Sequence, residues 1–256
     1  MKKIQLCIVL FMIGLFSNAA NRDTLQQVYY PGEQLTYLAH FGFLNAGKAT
    51  FKLQNRFWDG KQAMHAVAEA KTIGVADRIY KVRDVYESYI NPENGLPYLA
   101  IRNINEGNYR FYNEVEYHHD SNLVYSQKSG KQNVPANVMD MVAAFYQLRN
   151  HLPNGIRPGE TISIDTYFAD EVFPLEIRFM GYEIIRTRMG KFRSMKFSPV
   201  VEPGRIFDTE DDVTIWFSAD KNYVPLQVRI DLIIGSIKCD LVNYAGLQYP
   251  LEQIDK

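Results

Sequence analysis

The sequence predicts a mostly β protein: a long antiparallel sheet forming an open or closed, barrel-like or sandwich architecture of about twelve strands, with one amphipathic helix over 137–150. Three observations predict it. Apolar and polar residues alternate with period two in one run after another, turn-forming clusters separate the runs, and one segment switches to helical spacing. Tyr and Phe, residues suited to a pleated surface, are abundant at 17 and 15 copies.

Residues 1–20 stand apart from the fold. Lys2 and Lys3 form a positive start, Ile4 to Phe16 an apolar stretch, and Ser17-Asn18-Ala19 a small-residue cleavage site, the three parts of a secretory signal. The apolar stretch is short for a membrane span, and Cys7 lies inside it rather than after it, where a lipidated cysteine would stand. The expectation is export and cleavage after Ala20, giving a periplasmic protein soluble after signal removal, with 21–256 forming a single mostly β domain.

The clearest hairpin is GEQLTYLAHFGFLNAGKATFKLQ, residues 32–54. Leu35, Tyr37, Ala39, Phe41 and Phe43 fall on one face and Gln34, Thr36, His40 and Gly42 on the other, with Leu38 out of phase. After LNAGK, Ala49, Phe51 and Leu53 alternate with Lys48, Thr50, Lys52 and Gln54, and Gly47 is assigned to the turn. IGVADRIYKVRD, around 73–84, reads as a short helix or a lid-like loop. Alternation returns at Tyr109, Phe111, Val115 and Tyr117 against Arg110, Glu114 and Glu116.

In NVMDMVAAFYQLRN the period becomes helical: Val138, Met141, Val142, Phe145 and Leu148 form a stripe, Asn137 is placed as N-cap, Asp140 in the first turn and Arg149 in the last. The Pro/Gly-rich segment at 151–160 ends the helix and reads as a loop within one domain. Strand patterns resume at Val213, Ile215 and Phe217 and at Val228, Ile230, Leu232 and Ile234.

Charge and cysteine content exclude several classes. Removing the leader takes away two lysines and no acid, leaving 26 basic and 29 acidic side chains, a net charge of −3. Nucleic acid, which demands a basic surface, is not an expected partner. Cys239 is the one cysteine outside the leader, so no disulfide can form within the chain and stability must come from a core.

Catalytic signatures are absent: there is no nucleophile elbow, zinc-protease pair, phosphate loop or dinucleotide fingerprint. No catalytic or metal-binding residue is assigned, and no cofactor is expected. His118-His119-Asp120 resembles a ligand cluster, but neighbours on a strand point to opposite faces, which favours a polar turn. Asp208, Glu210 and Asp212 have calcium-loop spacing, yet Val213 replaces the required glycine and Ala219 the terminal glutamate, so a solvated hairpin is the better reading. His40, His65 and His151 are widely separated in sequence. Gly32 is read as a turn residue, Glu33 as a solvated strand start, Trp216 as packed in a core or second layer, and Ser218 and Asp220 as turn residues.

Three segments carry a family likeness: YYPGEQLTYLAHFGFLNAGKATFKL, DMVAAFYQLRN, and VTIWFSADKNYVPLQVRI followed by GSIKCDL. They resemble an exported bacterial family catalogued as a domain of unknown function, DUF 3108. The Gly-Glu pair, the Ala-Gly after the first turn and the Trp-x-Ser-x-Asp before a proline are its more specific elements. The resemblance implies export and a mostly antiparallel β fold. It brings no catalytic residues, since the family has no established activity. A looser likeness of architecture links the chain to half-barrels with helical lids that carry lipids or lipoproteins through the periplasm, an analogy of fold alone.

Two functional readings follow. The favoured one is an exported, non-enzymatic envelope protein whose curved sheet offers a cavity to a lipid-like or other apolar ligand, or to an exported polypeptide. The alternative is a hydrolase of envelope glycans or lipids using a carboxylate pair such as Glu114 and Glu116, which an extended strand would set roughly 7 Å apart.

Overall fold

A computed structural model describes residues 27–152, 155–200, 213–231 and 235–254. The expected leader and Asp208, Glu210 and Asp212 lie outside the described residues. The first eight strands are β1 (Gln34–Phe41), β2 (Leu44–Trp58), β3 (Lys61–Thr72), β4 (Arg83–Ile90), β5 (Pro97–Glu106), β6 (Tyr109–His118), β7 (Leu123–Ser126) and β8 (Gly130–Asn133), with a short helix α1 (Gly74–Ile79) between β3 and β4. Helix α2 (Met141–His151) follows. The chain then continues through β9 (Thr161–Phe168), β10 (Glu171–Thr187), β11 (Gly190–Pro199), β12 (Val213–Ser218), β13 (Pro225–Asp231) and β14 (Ser236–Ala245).

All fourteen strands form one antiparallel sheet in the order β8-β7-β6-β5-β4-β3-β2-β1-β14-β13-β12-β11-β10-β9. Each half is a meander of sequence neighbours, and pairing of β1 with β14 joins the halves. The topology explains the curl. β8 and β9 are the outermost strands, yet they are consecutive in sequence, so the link between them must bring the two edges together. That link does so in two ways. Met139 adds a parallel bridge to Thr166: the Met139 N–H donates to the Asp165 carbonyl at 2.9 Å, and the Tyr167 N–H donates to the Met139 carbonyl at 2.8 Å. It thereby covers part of a sheet edge that would otherwise expose unpaired backbone groups. Asp170, in the β9–β10 turn, then accepts from the hydroxyls of Ser126 and Ser129, at 2.9 and 2.8 Å, near the opposite edge. The sheet is therefore barrel-like but has an unladdered seam.

The strands carry the predicted alternation, fourteen of them among the described residues against about twelve expected. The long β2–β3 hairpin is closed by Asp59 and Gly60, both at positive φ, the geometry of a tight turn matched to strand twist. The turn of the first hairpin lies elsewhere than predicted. Gly42, at φ 56°, makes it, whereas Gly47 sits inside β2 opposite Ala39. Of the two, only Gly42 has the left-handed backbone that favours glycine, and moving the turn there puts Phe43 at the hairpin tip.

Helix α2 starts later than the predicted 137–150 segment. Asn137 adopts a left-handed φ of 60° and does not cap; the Asp140 carboxylate does, accepting from the N–H groups of Val142 and Ala143 at 2.8 and 3.0 Å. Nor is α2 a one-sided lid. Val142, Ala143, Ala144, Tyr146, Gln147, Leu148, Arg149 and Asn150 are all buried, because the sheet wraps the helix. Leu53, Met64, Ile90, Ile164, Phe179 and Phe197, from both halves of the sheet, join it in the main core. Phe145 stacks on Phe51 at 4.3 Å between ring centres and connects that core to a second one around Leu35, Tyr37, Phe192 and Leu241. Each fully buried Leu or Phe side chain contributes roughly 2 kcal/mol, so the helix is a principal part of the core.

Candidate functional site

A fully buried arginine, among the largest side chains without solvent contact in the described residues, lies where α2 meets the start of β1. Arg149 is 0% exposed and Glu33 2%. Arg149 donates through Nη1 to Glu33 Oε1 at 2.6 Å and through Nη2 to Oε2 at 2.9 Å, a two-bond fork, while Nε and Nη2 donate to the Asn222 carbonyl at 3.2 and 2.9 Å. Burial works to lower the guanidinium pKa, but the Glu33 carboxylate outweighs it and the group is held firmly charged. The ring of Tyr146 lies 6.0 Å from the guanidinium and that of Tyr29 5.9 Å, and the two rings pack on each other at 5.0 Å.

The loop that carries Asn222 is braced by the residues predicted to be simple turn formers. Asp220 accepts from the Ser218 hydroxyl at 2.8 Å, from the Asn222 N–H at 2.9 Å and from the Glu252 N–H at 3.1 Å. Asn222 in turn donates its side-chain amide to the Tyr249 carbonyl at 3.1 Å. Thus Gly32-Glu33, the helix and the Ser-x-Asp segment, one from each of the three segments of family likeness, converge on one buried ion pair. Glu33 is not the solvated strand start read from sequence. Its partner is 116 residues away, a distance that periodicity cannot span. The arrangement has no open face, and chemically it fixes α2 within the sheet.

A second polar cluster lies at the seam, where the inner faces of β5 and β6 meet the β9–β10 turn. Its enclosed space is about 30 Å³ and includes Arg102, Asn113, Tyr117, Asp140 and Asp170 in its lining. The Arg102 guanidinium lies 4.2 Å from the Phe168 ring centre and 5.0 Å from that of Phe111. Two buried polar atoms here, Arg102 Nε and the Tyr117 hydroxyl, have no hydrogen-bond partner in the protein. Burial lifts the Asp140 carboxyl to about 6, against hydrogen bonds from Ser88 and the helix N–H groups that favour the anion. The space suits a solvent molecule or two and is far below the several hundred Å³ of a ligand pocket.

The remaining predicted residues are dispersed. Glu114 and Glu116 share the outer face of β6 with His118, beside an open groove of about 560 Å³. Glu114 already accepts a hydrogen bond from the Tyr112 hydroxyl, and Glu116 lies 3.7 Å from His118. His119 turns away from His118 to the Pro97 carbonyl at 2.8 Å, and burial lowers its pKa. His40 contacts Asp240 at 2.9 Å and His65 contacts Glu87 at 2.7 Å, on separate parts of the sheet. His151 bonds the Gln147 carbonyl of its own helix at 2.8 Å. No group of three His, Cys, Asp or Glu side chains among the described residues is placed to hold a metal ion. Trp216 is buried as expected and donates to Glu183, with Arg229 5.5 Å from its ring centre. The Cys239 thiol is pushed up to about 11, by burial first and Asp240 second, and is a poor nucleophile.

These features define a barrel-like, antiparallel β protein whose hollow is filled by its own helix. The chain belongs to the family described as protein of unknown function DUF3108, whose model matches residues 36–242. Its structure is similar to a β-barrel-like protein of domain of unknown function DUF1849 from Brucella abortus, with 8% identity, a TM-score of 0.57, and coverage of 85% of this chain and 98% of that one. A DUF1089 family protein from Pseudomonas aeruginosa, at 8% identity and a TM-score of 0.39, aligns over 71% of this chain and 88% of its own. A candidate exported protein with a YmcC-like fold from Bacteroides fragilis, at 12% identity and a TM-score of 0.35, aligns over 84% and 96%. The first likeness shows the fold. No curated protein matches the chain.

Proposed function

We propose that this is an exported, non-enzymatic envelope protein that acts through its outer surface rather than by enclosing a ligand. The observation that carries the reading is the occupation of the hollow by α2, tied in place by the Arg149–Glu33 pair. A lipid carrier needs an interior of several hundred Å³, and the space enclosed at the seam is about 30 Å³. Binding inside the sheet would require α2 to leave a core in which eight of its eleven residues are buried. The hydrolase reading gains little from the geometry, since Glu114 and Glu116 stand on a solvent-facing strand surface with other partners. The secretory features of residues 1–20 support export, and no described helix is long and apolar enough to cross a membrane.

Native mass spectrometry of the exported protein, paired with titration of a hydrophobic fluorescent probe, tests this reading. The expected result is a mass equal to the polypeptide alone and no saturable probe site in the interior. A co-purifying lipid at unit stoichiometry, displaced by the probe, would overturn it in favour of a carrier.

A further inference from the structure

One end of the barrel is apolar where solvent should be. Phe43, at the tip of the first hairpin, is 99% exposed, and Phe41 and Leu44 beside it are also exposed. Helix α1 adjoins this hairpin: the Ile73 N–H donates to the Ala46 carbonyl at 2.9 Å. It has no buried residue, and Val75 and Ile79, four apart and so on one helix face, point outward, Ile79 at 80% exposure. Tyr80 continues the patch onto the β5–β6 turn, where Gly107 is packed so closely that a Cβ would lie 2.9 Å from its ring. Single exposed apolar side chains are ordinary, but a contiguous run over two adjoining elements marks an interaction surface.

The charges around the patch indicate what it meets. Lys48 and Lys71 are exposed and directly paired across β2 and β3, and Arg78 and Lys81 flank the α1 face; Arg188 reaches the hairpin by donating to Asn45 at 2.8 Å, but its Nε also lies 3.9 Å from Asp240, so Lys48, Lys71, Arg78 and Lys81 carry the positive charge offered outward. The acids at this end are engaged. Asp77 is gripped by Arg83 at 2.7 and 3.0 Å, which draws its pKa down to about 2. The Glu106 carboxyl has its pKa raised, by loss of solvent first and by the neighbouring Asp84 second. In a chain of overall negative charge, an aromatic tip ringed by cations is local and sided.

We infer that this rim docks the protein on an anionic lipid surface, with Phe43 and the Val75–Ile79 face entering the headgroup boundary and the surrounding lysines and arginines contacting phosphates. The inference rests on the outer-surface reading above and names its partner. Aromatic and branched apolar side chains gain by leaving water at the interface, while the cations add an attraction that salt screens.

Flotation with vesicles tests it, using the full exported chain with its N-terminus checked by mass. Vesicles of equal parts phosphatidylglycerol and phosphatidylcholine should carry the protein up. Pure phosphatidylcholine should carry much less, and molar salt should weaken the anionic binding. Phe43→Ser with Ile79→Ser should reduce binding at least about tenfold, the cost of withdrawing two large apolar groups. Arg78→Glu with Lys81→Glu should reduce it on anionic vesicles while leaving the apolar tip intact. Phe57→Ser alters another exposed aromatic, 70% open, at the other end of β2, about 40 Å away along the strand, and should change nothing. All five positions are exposed, and circular dichroism confirms that each variant is folded. Undiminished binding by both double variants, or equal binding to zwitterionic vesicles, would overturn the inference. So would absence of vesicle binding together with a dimer that the apolar double variant dissociates, since the patch would then meet a second copy. An interior lipid in the earlier measurement would defeat the outer-surface reading while leaving flotation to decide this one.

Discussion

An arginine without solvent contact is held in place by its neighbours rather than by its own stability. Arg149 has lost its hydration and recovered it from one carboxylate and one carbonyl, both fixed by other parts of the chain. Such a pair contributes little net stability compared with apolar residues of the same size, but removing one member strands a buried charge. Arg149→Met should therefore cost about 3–5 kcal/mol in urea unfolding. Adding Glu33→Leu to the same protein should return most of that loss, short of about 1 kcal/mol for the unpaired Asn222 carbonyl. If the double variant is no more stable than the single one, the pair does more than satisfy its own charges. In the sequence, Glu33 and Arg149 looked like ordinary residues at a strand start and a helix end. Only the pairing of β1 with β14 and the burial of α2 bring them together, and neither is written in local periodicity.

At the level of elements, the alternation and the helical stripe were legible because each reports which side of an element faces inward. Neither reports how far along the barrel a residue sits. This is why Phe41 and Phe43 share the apolar face of Leu35 and Tyr37 and are nonetheless exposed: the alternation continues to the hairpin tip, past the point where the sheet has anything to pack against. The same limitation hides the central position of α2, since small residues such as Ala143 and Ala144, which let strands approach, carry no stripe signal of their own. The start of α2 also has a measurable pH signature. Burial raises Asp140 in the folded protein to about 6 from an ordinary value near 3.8. The folded state therefore holds this proton more tightly than the unfolded chain, and its contribution is present below pH 4 and lost as pH rises through 6. Asp140→Asn keeps a good helix cap without titrating. The stability of the native protein relative to this variant should fall between pH 4 and 6, by up to about 3 kcal/mol. A difference that is flat or rises with pH would contradict the burial assigned to this carboxyl.

For the molecule as a whole, one connection decides the architecture. Two β meanders joined along β1 and β14 would form an open, twisted sheet; the link from β8 to β9 forces its outer edges together and leaves α2 in the space between. The family's more specific residues, Glu33 and the Ser-x-Asp pair, then secure that helix, so their pattern describes a folding requirement rather than a reactive centre. On the reading proposed above, function lies on the outside, at the apolar, cation-ringed rim. Amide hydrogen exchange on α2 tests the account most directly, because a core helix and a removable plug differ in how they open. If α2 is core, the amides of residues 145–151 should exchange only with global unfolding, at the rate of the central strands β1, β2 and β11. Exchange of these amides while the sheet stays protected would show a helix that leaves its hollow, and would contradict the filled interior on which the outer-surface reading depends.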